Sequence, residues 1–114
     1  MTGAPAHAAG AGGVRHGGVA AVIGRLEPEL VALRRDLHAH PEPSWEEHRT
    51  TEVLRARLVA AGLDPVVAPT GTGVICDVGA PAGTGPIVAI RGDIDALRLV
   101  DEKDVPYRST VPGV

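Results

Sequence analysis

The chain has 114 residues and a formal net charge of −3, with 11 Lys and Arg residues against 14 Asp and Glu residues. The basic residues are scattered along the chain, which argues against nucleic acid as a partner. No apolar run approaches the roughly 20 residues of a membrane span. We therefore expect a cytoplasmic protein that does not associate with membranes.

The N-terminal residues 1–24 contain seven glycines, many alanines and few large apolar side chains. Such a composition cannot bury enough surface to offset the entropy lost on ordering. The sequence therefore predicts a disordered Gly/Ala-rich leader over 1–24 and a folded domain over 25–114.

The first predicted helix has leucines at steps of four, three and four, which places them on one face: Leu26, Leu30, Leu33 and Leu37. The expected start is Glu27, because Pro28 suits a first helical turn. Pro41 disfavours helix in the residue before it, so we expect the helix to end near His40.

The second predicted helix begins after Ser44, which is followed three residues later by Glu47. That spacing is typical of a capping box, in which the two side chains cap each other's backbone N–H groups. An apolar stripe from Val53 to Ala61 follows, and Gly62 is expected to end the helix in a left-handed conformation.

Three short strands are predicted after this helix, over 64–69, 74–79 and 87–90. The first two are separated by a tight turn and should be antiparallel. The third, "IVAI", is apolar throughout, as expected of a strand covered on both faces. The fold class is therefore α/β, with two helices followed by three strands of a mixed sheet.

Asp93 and Asp95 directly follow the third predicted strand. Residues two apart on an extended chain point the same way, so both carboxylates should face one cavity and repel each other unless a cation lies between them. A divalent metal or its histidine ligands would relieve that repulsion, and so would pairing with Arg91 or Arg98. The residues alone leave both interpretations open.

His38 and His40 have a spacing that can hold zinc on a strand. At the end of a helix, however, side chains two apart point about 200° from one another, which favours a structural role for both. "TGTG" at 70–73 precedes a strand and not a helix, so it is interpreted as a turn and not a phosphate site.

Several blocks together resemble the amidohydrolase branch of the aminoacylase and carboxypeptidase metallopeptidases, which includes hippurate hydrolases and indole-acetyl-amino-acid hydrolases. They are "LVALRRDLHAHPEPSWEEHRTTEVLRARLVAAGL", "GTGV", "IVAIRGDIDALRL" and "YRSTVPGV", in this order and spacing. The resemblance spans roughly residues 30–114. It implies part of a zinc-exopeptidase-like catalytic domain, truncated at its C-terminus.

The resemblance also implies the chemistry and the roles of two residues. In this family two divalent metal ions, zinc or manganese, support hydrolysis of a small N-acyl amino acid, and the complete enzyme is expected to be a homodimer. Asp95 is expected to orient a metal-site group, and Asp93 to have a weaker electrostatic role. Arg98 stands where the branch usually has proline.

Most metal ligands of the family are expected to lie outside this sequence, so the chain itself should bind no metal and be inactive. An alternative hypothesis is a non-catalytic interaction module that docks on a full-length relative. A third hypothesis, metal-dependent sugar-nucleotide chemistry at Asp93 and Asp95, requires a nucleotide-binding order of helices and strands that the sequence lacks.

Overall fold

The computed structural model describes residues 16–79 and 85–114. It contains two helices and two strands, α1 (His16–Ala39), α2 (His48–Ala60), β1 (Val66–Val67) and β2 (Val74–Ile75). The chain divides into two compact units, residues 1–32 and 33–114, and the described part of the first unit is helical. None of the helices in these residues is long and apolar enough to span a bilayer.

Helix α1 begins earlier than the sequence predicts. It starts at His16 instead of Glu27 and carries Pro28 in its interior. Alanine has the highest helix propensity, and the alanines between the glycines of 17–24 sustain the helix where glycine content alone argues against it. Residues 1–15 of the predicted leader lie outside the described part of the chain, so the division into a leader of 1–24 and a domain of 25–114 stays a prediction.

Helix α2 forms as predicted, but its N-terminal cap differs from the predicted capping box. Glu47 occupies the N-cap position without a side-chain cap bond. The cap comes from Glu42, whose Oε1 accepts a hydrogen bond from Arg49 N at 2.8 Å and whose Oε2 accepts one from Thr50 N at 2.6 Å. The Glu42 carboxylate replaces the predicted capping box because it is the stronger acceptor. A carboxylate at the positive end of a helix can satisfy two unpaired N–H groups at once.

The C-terminal end of α2 agrees with the sequence prediction. Gly62 has a φ of +80°, in the left-handed region that glycine adopts without strain. Its N–H bonds to Val59 O at 2.9 Å, and Leu63 N bonds to Leu58 O at 3.1 Å. This pair of bonds is the Schellman arrangement that satisfies the last carbonyls of a helix.

The sheet consists of the two predicted antiparallel strands, shortened to two residues each. Val66 pairs with Ile75 and Val67 pairs with Val74 across the turn at 70–73. The third predicted strand does not form: residues 87–90 have no strand assignment, and the nearest pairing is an isolated parallel bridge between Pro43 and Ala96. A strand needs neighbours on its edges, and no described residue pairs with this segment.

The best-buried side chains are polar. Among the described residues no apolar side chain is fully buried, whereas Thr50, Thr51 and Thr72 are 2%, 4% and 6% exposed. Thr51 Oγ1 accepts a hydrogen bond from Gly73 N at 2.8 Å, which ties α2 to the start of β2. The helix and the hairpin are therefore connected by a directional hydrogen bond.

Candidate functional site

A cleft of about 820 Å³ lies in the second unit. Its wall is formed by the end of α1, the first turns of α2 and the segment 93–103. The titratable side chains in the wall include those of His38, Glu42, Asp93, Asp95 and Asp101. Apolar side chains line it as well, among them Leu97, Leu99 and Val100, each more than half exposed.

Both sequence-predicted carboxylates line this cleft, but they do not share a partner. Asp93 Oδ1 lies 2.9 Å from Arg91 Nη2, and the Asp93 side chain is 71% exposed. In the part of the chain that the structure describes, Asp95 is exposed and makes no hydrogen bond or ion pair. The structure thus shows arginine pairing for Asp93 and no partner for Asp95 among the described residues.

Arg98, the other candidate cation, pairs away from the two aspartates. Its Nη2 lies 2.6 Å from Glu46 Oε1, and both side chains are mainly exposed. Exposed pairs of this kind contribute little to stability. Two contacts connect the segment between Arg91 and Arg98 to the rest of the second unit. One is the Arg98 ion pair, and the other is the hydrogen bond that Ala96 N donates to Glu42 O at 2.8 Å.

Asp101 is the most strongly held carboxylate of the cleft, and sequence reasoning missed it. Its Oδ2 accepts from Ser109 N at 3.1 Å and from His38 Nε2 at 2.9 Å, and its Oδ1 accepts from Lys103 N at 3.2 Å. The bond from Ser109, followed by those from Lys103 and His38, lowers the pKa of Asp101 to about 2. His38 lies 63 positions from Asp101 in sequence, so no local pattern indicates that the two side chains meet.

His38 is also packed by an aromatic group. The Tyr107 ring meets it edge-on at a centroid distance of 5.7 Å. The Arg35 guanidinium lies over the Tyr107 ring, 4.9 Å from its centroid. These contacts fix the loop after Asp101 against the end of α1.

His40 lies apart from this cluster, as its position at a helix end predicts. Its Nδ1 is 2.8 Å from Asp36 O, one helical turn back. Asp36 in turn accepts two hydrogen bonds from Arg49 Nη2, at 2.9 and 3.0 Å. His38 and His40 thus have different partners in the described chain, in agreement with a structural role for both.

Hydrogen bonds lower the pKa of two glutamates that precede α2. Burial would raise the pKa of Glu42, but hydrogen bonds from the Thr50 side chain and from the Thr50 and Arg49 amides hold that pKa below its usual value. Burial likewise opposes a lowered pKa at Glu47, where hydrogen bonds from its own amide and from Thr72 prevail. Glu47 Oε2 is nevertheless buried without a hydrogen-bond partner.

The described residues do not form a metal cage by themselves. Within residues 16–79 and 85–114, no group of three His, Cys, Asp or Glu side chains is placed to hold a metal ion. A bound divalent metal needs several such ligands with suitable geometry. Asp93 and Asp95 can contribute at most part of a metal site.

Comparison with known proteins relates most of the chain to amide hydrolases. The chain is 38% identical over 94 residues to N-acetyl-L-cysteine deacetylase of Bacillus subtilis, a match of 81% of this chain and 22% of that protein. It is 34% identical over 93 residues to N-acyl-L-amino acid amidohydrolase of Geobacillus stearothermophilus, covering 82% of this chain and 25% of that enzyme.

A higher identity is found with a protein of different name. The chain is 54% identical over 88 residues to "Putative glutamate--cysteine ligase 2-3" of Rhodococcus jostii, a match of 77% of this chain and 11% of that protein. The chain thus spans a quarter or less of the length of these curated relatives. No family model matches the chain.

A solved structure has the same fold. The YxeP protein of Bacillus subtilis, described as a dinuclear metal-binding peptidase of the M20 family, matches with a TM-score of 0.72 and 37% sequence identity. The match covers 79% of this chain and 25% of that chain. Most of the chain therefore has the α/β fold of an M20 peptidase.

Proposed function

Because the chain belongs to the amidohydrolase branch of the M20 metallopeptidase family, we propose that it serves in hydrolysis of the amide bond of N-acyl amino acids. The sequence and fold similarity to an N-acyl-L-amino acid amidohydrolase and to a dinuclear metal-binding M20 peptidase carries this proposal. The products are a carboxylate and a free amino acid. The proposed setting is a cytoplasmic homodimer acting on small molecules.

The proposed cofactor is a pair of divalent ions, zinc or manganese, whose ligands come mainly from polypeptide outside the described residues. Such ions polarise the amide carbonyl and activate water. The described residues offer no complete cage, so the chain by itself is proposed to be inactive. We do not assign a metal ligand within it.

Within the chain, Asp95 is proposed to position a group of the metal site. Its carboxylate lines the cleft, is exposed and makes no hydrogen bond or ion pair with the rest of the described chain, so it can accept a hydrogen bond from a ligand on another segment. Asp93 is proposed to contribute charge only, because Arg91 already neutralises it at 2.9 Å. Outer carboxylates of this kind fix the orientation of metal ligands without contacting the metal.

A chimera tests the proposal. In the Geobacillus stearothermophilus amidohydrolase, the quarter that this chain matches is replaced by this chain, and hydrolysis of N-acetyl amino acids is measured with added Mn²⁺ or Zn²⁺. We expect activity, and we expect Asp95→Asn to lower kcat by about 10- to 100-fold.

Asp104→Asn is the matched control, because Asp104 is also exposed and has no hydrogen bond or ion pair among the described residues. It should leave kcat within about twofold, a difference of about 0.4 kcal/mol. A chimera that folds and binds metal but does not hydrolyse the substrate contradicts the proposed activity. Full activity of the Asp95→Asn chimera contradicts the role of Asp95.

A further inference from the structure

One face of helix α1 carries a regular apolar stripe, which we name the α1 seam. Its members follow one another at steps of four, three and four residues, and they are Val19, Ile23, Leu26 and Leu30. They are 46%, 56%, 43% and 50% exposed, so about half of each side chain is in contact with water. A contiguous apolar surface of this kind marks an interaction site.

The spacing of the α1 seam is that of a coiled coil. Steps that alternate between four and three residues give the heptad repeat, in which Ile23 and Leu30 occupy a positions and Val19 and Leu26 occupy d positions. In the middle of the seam, isoleucine at an a position is followed by leucine at a d position. This combination favours two parallel strands over higher oligomers.

The residues of α1 that weaken a helix lie away from the α1 seam. Each residue advances about 100° around the helix axis, which places Gly17, Gly24 and Pro28 on the opposite side. Glycine and proline lower the stability of an isolated helix without disturbing a contact at the seam. Because packing of an apolar face supplies most helix stability in proteins, α1 gains from a partner on that face.

The charges that flank the α1 seam indicate both the partner and its direction. Glu29 occupies a g position and Arg34 the e position five residues later, and both are exposed. In a parallel pair of helices, a g residue faces the e residue five positions later in the other chain, so Glu29 of each copy faces Arg34 of the other. An antiparallel pair would instead bring the g flanks together, where Glu29 and Asp36 repel.

We propose that the α1 seam is a self-association surface, through which two copies of this chain form a parallel two-stranded coiled coil. The occupant is a second copy because the chain supplies both the apolar stripe and the complementary charges. The sequence blocks that carry the family resemblance begin at Leu30, so most of the seam lies outside them. The surface does not depend on the proposed amide hydrolysis.

Sedimentation equilibrium of the whole chain over a range of concentrations tests the α1 seam. We expect a reversible monomer–dimer equilibrium. Ile23→Lys places two like charges in one a layer and should raise the dimer Kd at least about tenfold. Val31→Lys is the matched control, because Val31 is a valine of the same helix, 38% exposed, that lies about 120° from the seam. It should leave Kd within about twofold, and circular dichroism should show normal helix content for both variants.

Charge reversal tests the direction of the two helices. Glu29→Lys and Arg34→Glu should each raise Kd about three- to tenfold, because like charges then face each other twice in the dimer. An equal mixture of the two variants should form a mixed dimer in preference to either dimer alone, since opposite charges then face each other again. An antiparallel pair predicts the opposite sign for Glu29→Lys, which would remove repulsion between the g flanks.

Each outcome decides the proposal. A chain that stays monomeric at about 1 mM overturns it. Equal weakening by Ile23→Lys and Val31→Lys, or unchanged dimerisation by Ile23→Lys, also overturns it, because the contact would then lie elsewhere. Strengthening by Glu29→Lys, or the absence of a mixed dimer, overturns the parallel arrangement. Dimerisation of the chain together with an inactive chimera supports the α1 seam and contradicts the proposed function alone.

Discussion

Residues 42–75 and residues 86–100 of the second unit differ in how their polar groups are satisfied. In the first region both ends of α2 are capped, the hairpin is paired and Thr51 bonds to Gly73. In the second region the backbone bonds through Ala96 and Leu99 alone, and the apolar side chains face outward. The polar groups of the first region are satisfied within the described chain, whereas most backbone groups of the second region have no partner among the described residues.

The largest effect is expected at Glu42, which caps α2. Glu42→Ala removes the acceptors of the Arg49 and Thr50 amides and should lower the free energy of unfolding by about 1–2 kcal/mol. Ser44→Ala should change it by less than about 0.5 kcal/mol, because Ser44 makes no cap. Urea titration followed by circular dichroism measures both changes. A larger loss of unfolding free energy for Ser44→Ala than for Glu42→Ala would support the capping box instead.

The next effect concerns the end of α2. Gly62→Ala should cost about 1 kcal/mol, since alanine in the left-handed region is strained. Gly92→Ala is matched, because a Cβ at either position meets no atom within 4 Å and Gly92 does not have a left-handed φ. Equal unfolding midpoints for the two variants would contradict the proposed C-terminal stop.

Sequence patterns predicted the helix and the hairpin of the first region but not the N-terminal cap of α2, and the strand predicted in the second region does not form. The period of α2, its glycine stop and the tight turn between β1 and β2 are local signals, and the structure contains all three. Glu42 caps residues seven and eight positions ahead, and Asp101 meets His38 across 63 positions. Such contacts depend on tertiary packing, which periodicity does not encode.

The strand predicted at 87–90 failed for a related reason. "IVAI" has the composition of a buried strand, but composition specifies only what the segment prefers once neighbours are present. The family resemblance, carried by the order of several blocks, was confirmed by the relatives and by the solved fold. The roles of Asp93 and Asp95 stay predictions.

A smaller, pH-limited effect is expected at Asp101, where the chain after the exposed region is tied back to α1. Its pKa of about 2 lies below the usual 3.8, so its contribution to stability is complete above about pH 4 and is lost as pH falls through 2. Asp101→Asn should therefore be less stable than the unchanged protein near neutral pH.

The difference in unfolding free energy between Asp101→Asn and the unchanged protein should narrow as pH falls from 4 to 2. Unfolding followed by circular dichroism at several pH values measures it, with Asp104→Asn as the control that retains the slope of the unchanged protein. A difference that stays constant over this range would contradict the stabilising role of the hydrogen bonds to Asp101.

The smallest effect is expected in the exposed region. Ile90→Ser should change the free energy of unfolding of the free chain by less than about 0.5 kcal/mol, because Ile90 is 97% exposed. The same urea titration applies. A loss above about 1 kcal/mol would show that the chain itself buries this side chain, and the distinction between the two regions would fail.

Amide hydrogen exchange tests the distinction most directly, because it reports each backbone N–H separately. In the free chain we predict slow exchange in the middle of α2 and exchange at unfolded-chain rates for residues 87–90. Protection of 87–90 in the free chain would contradict the account.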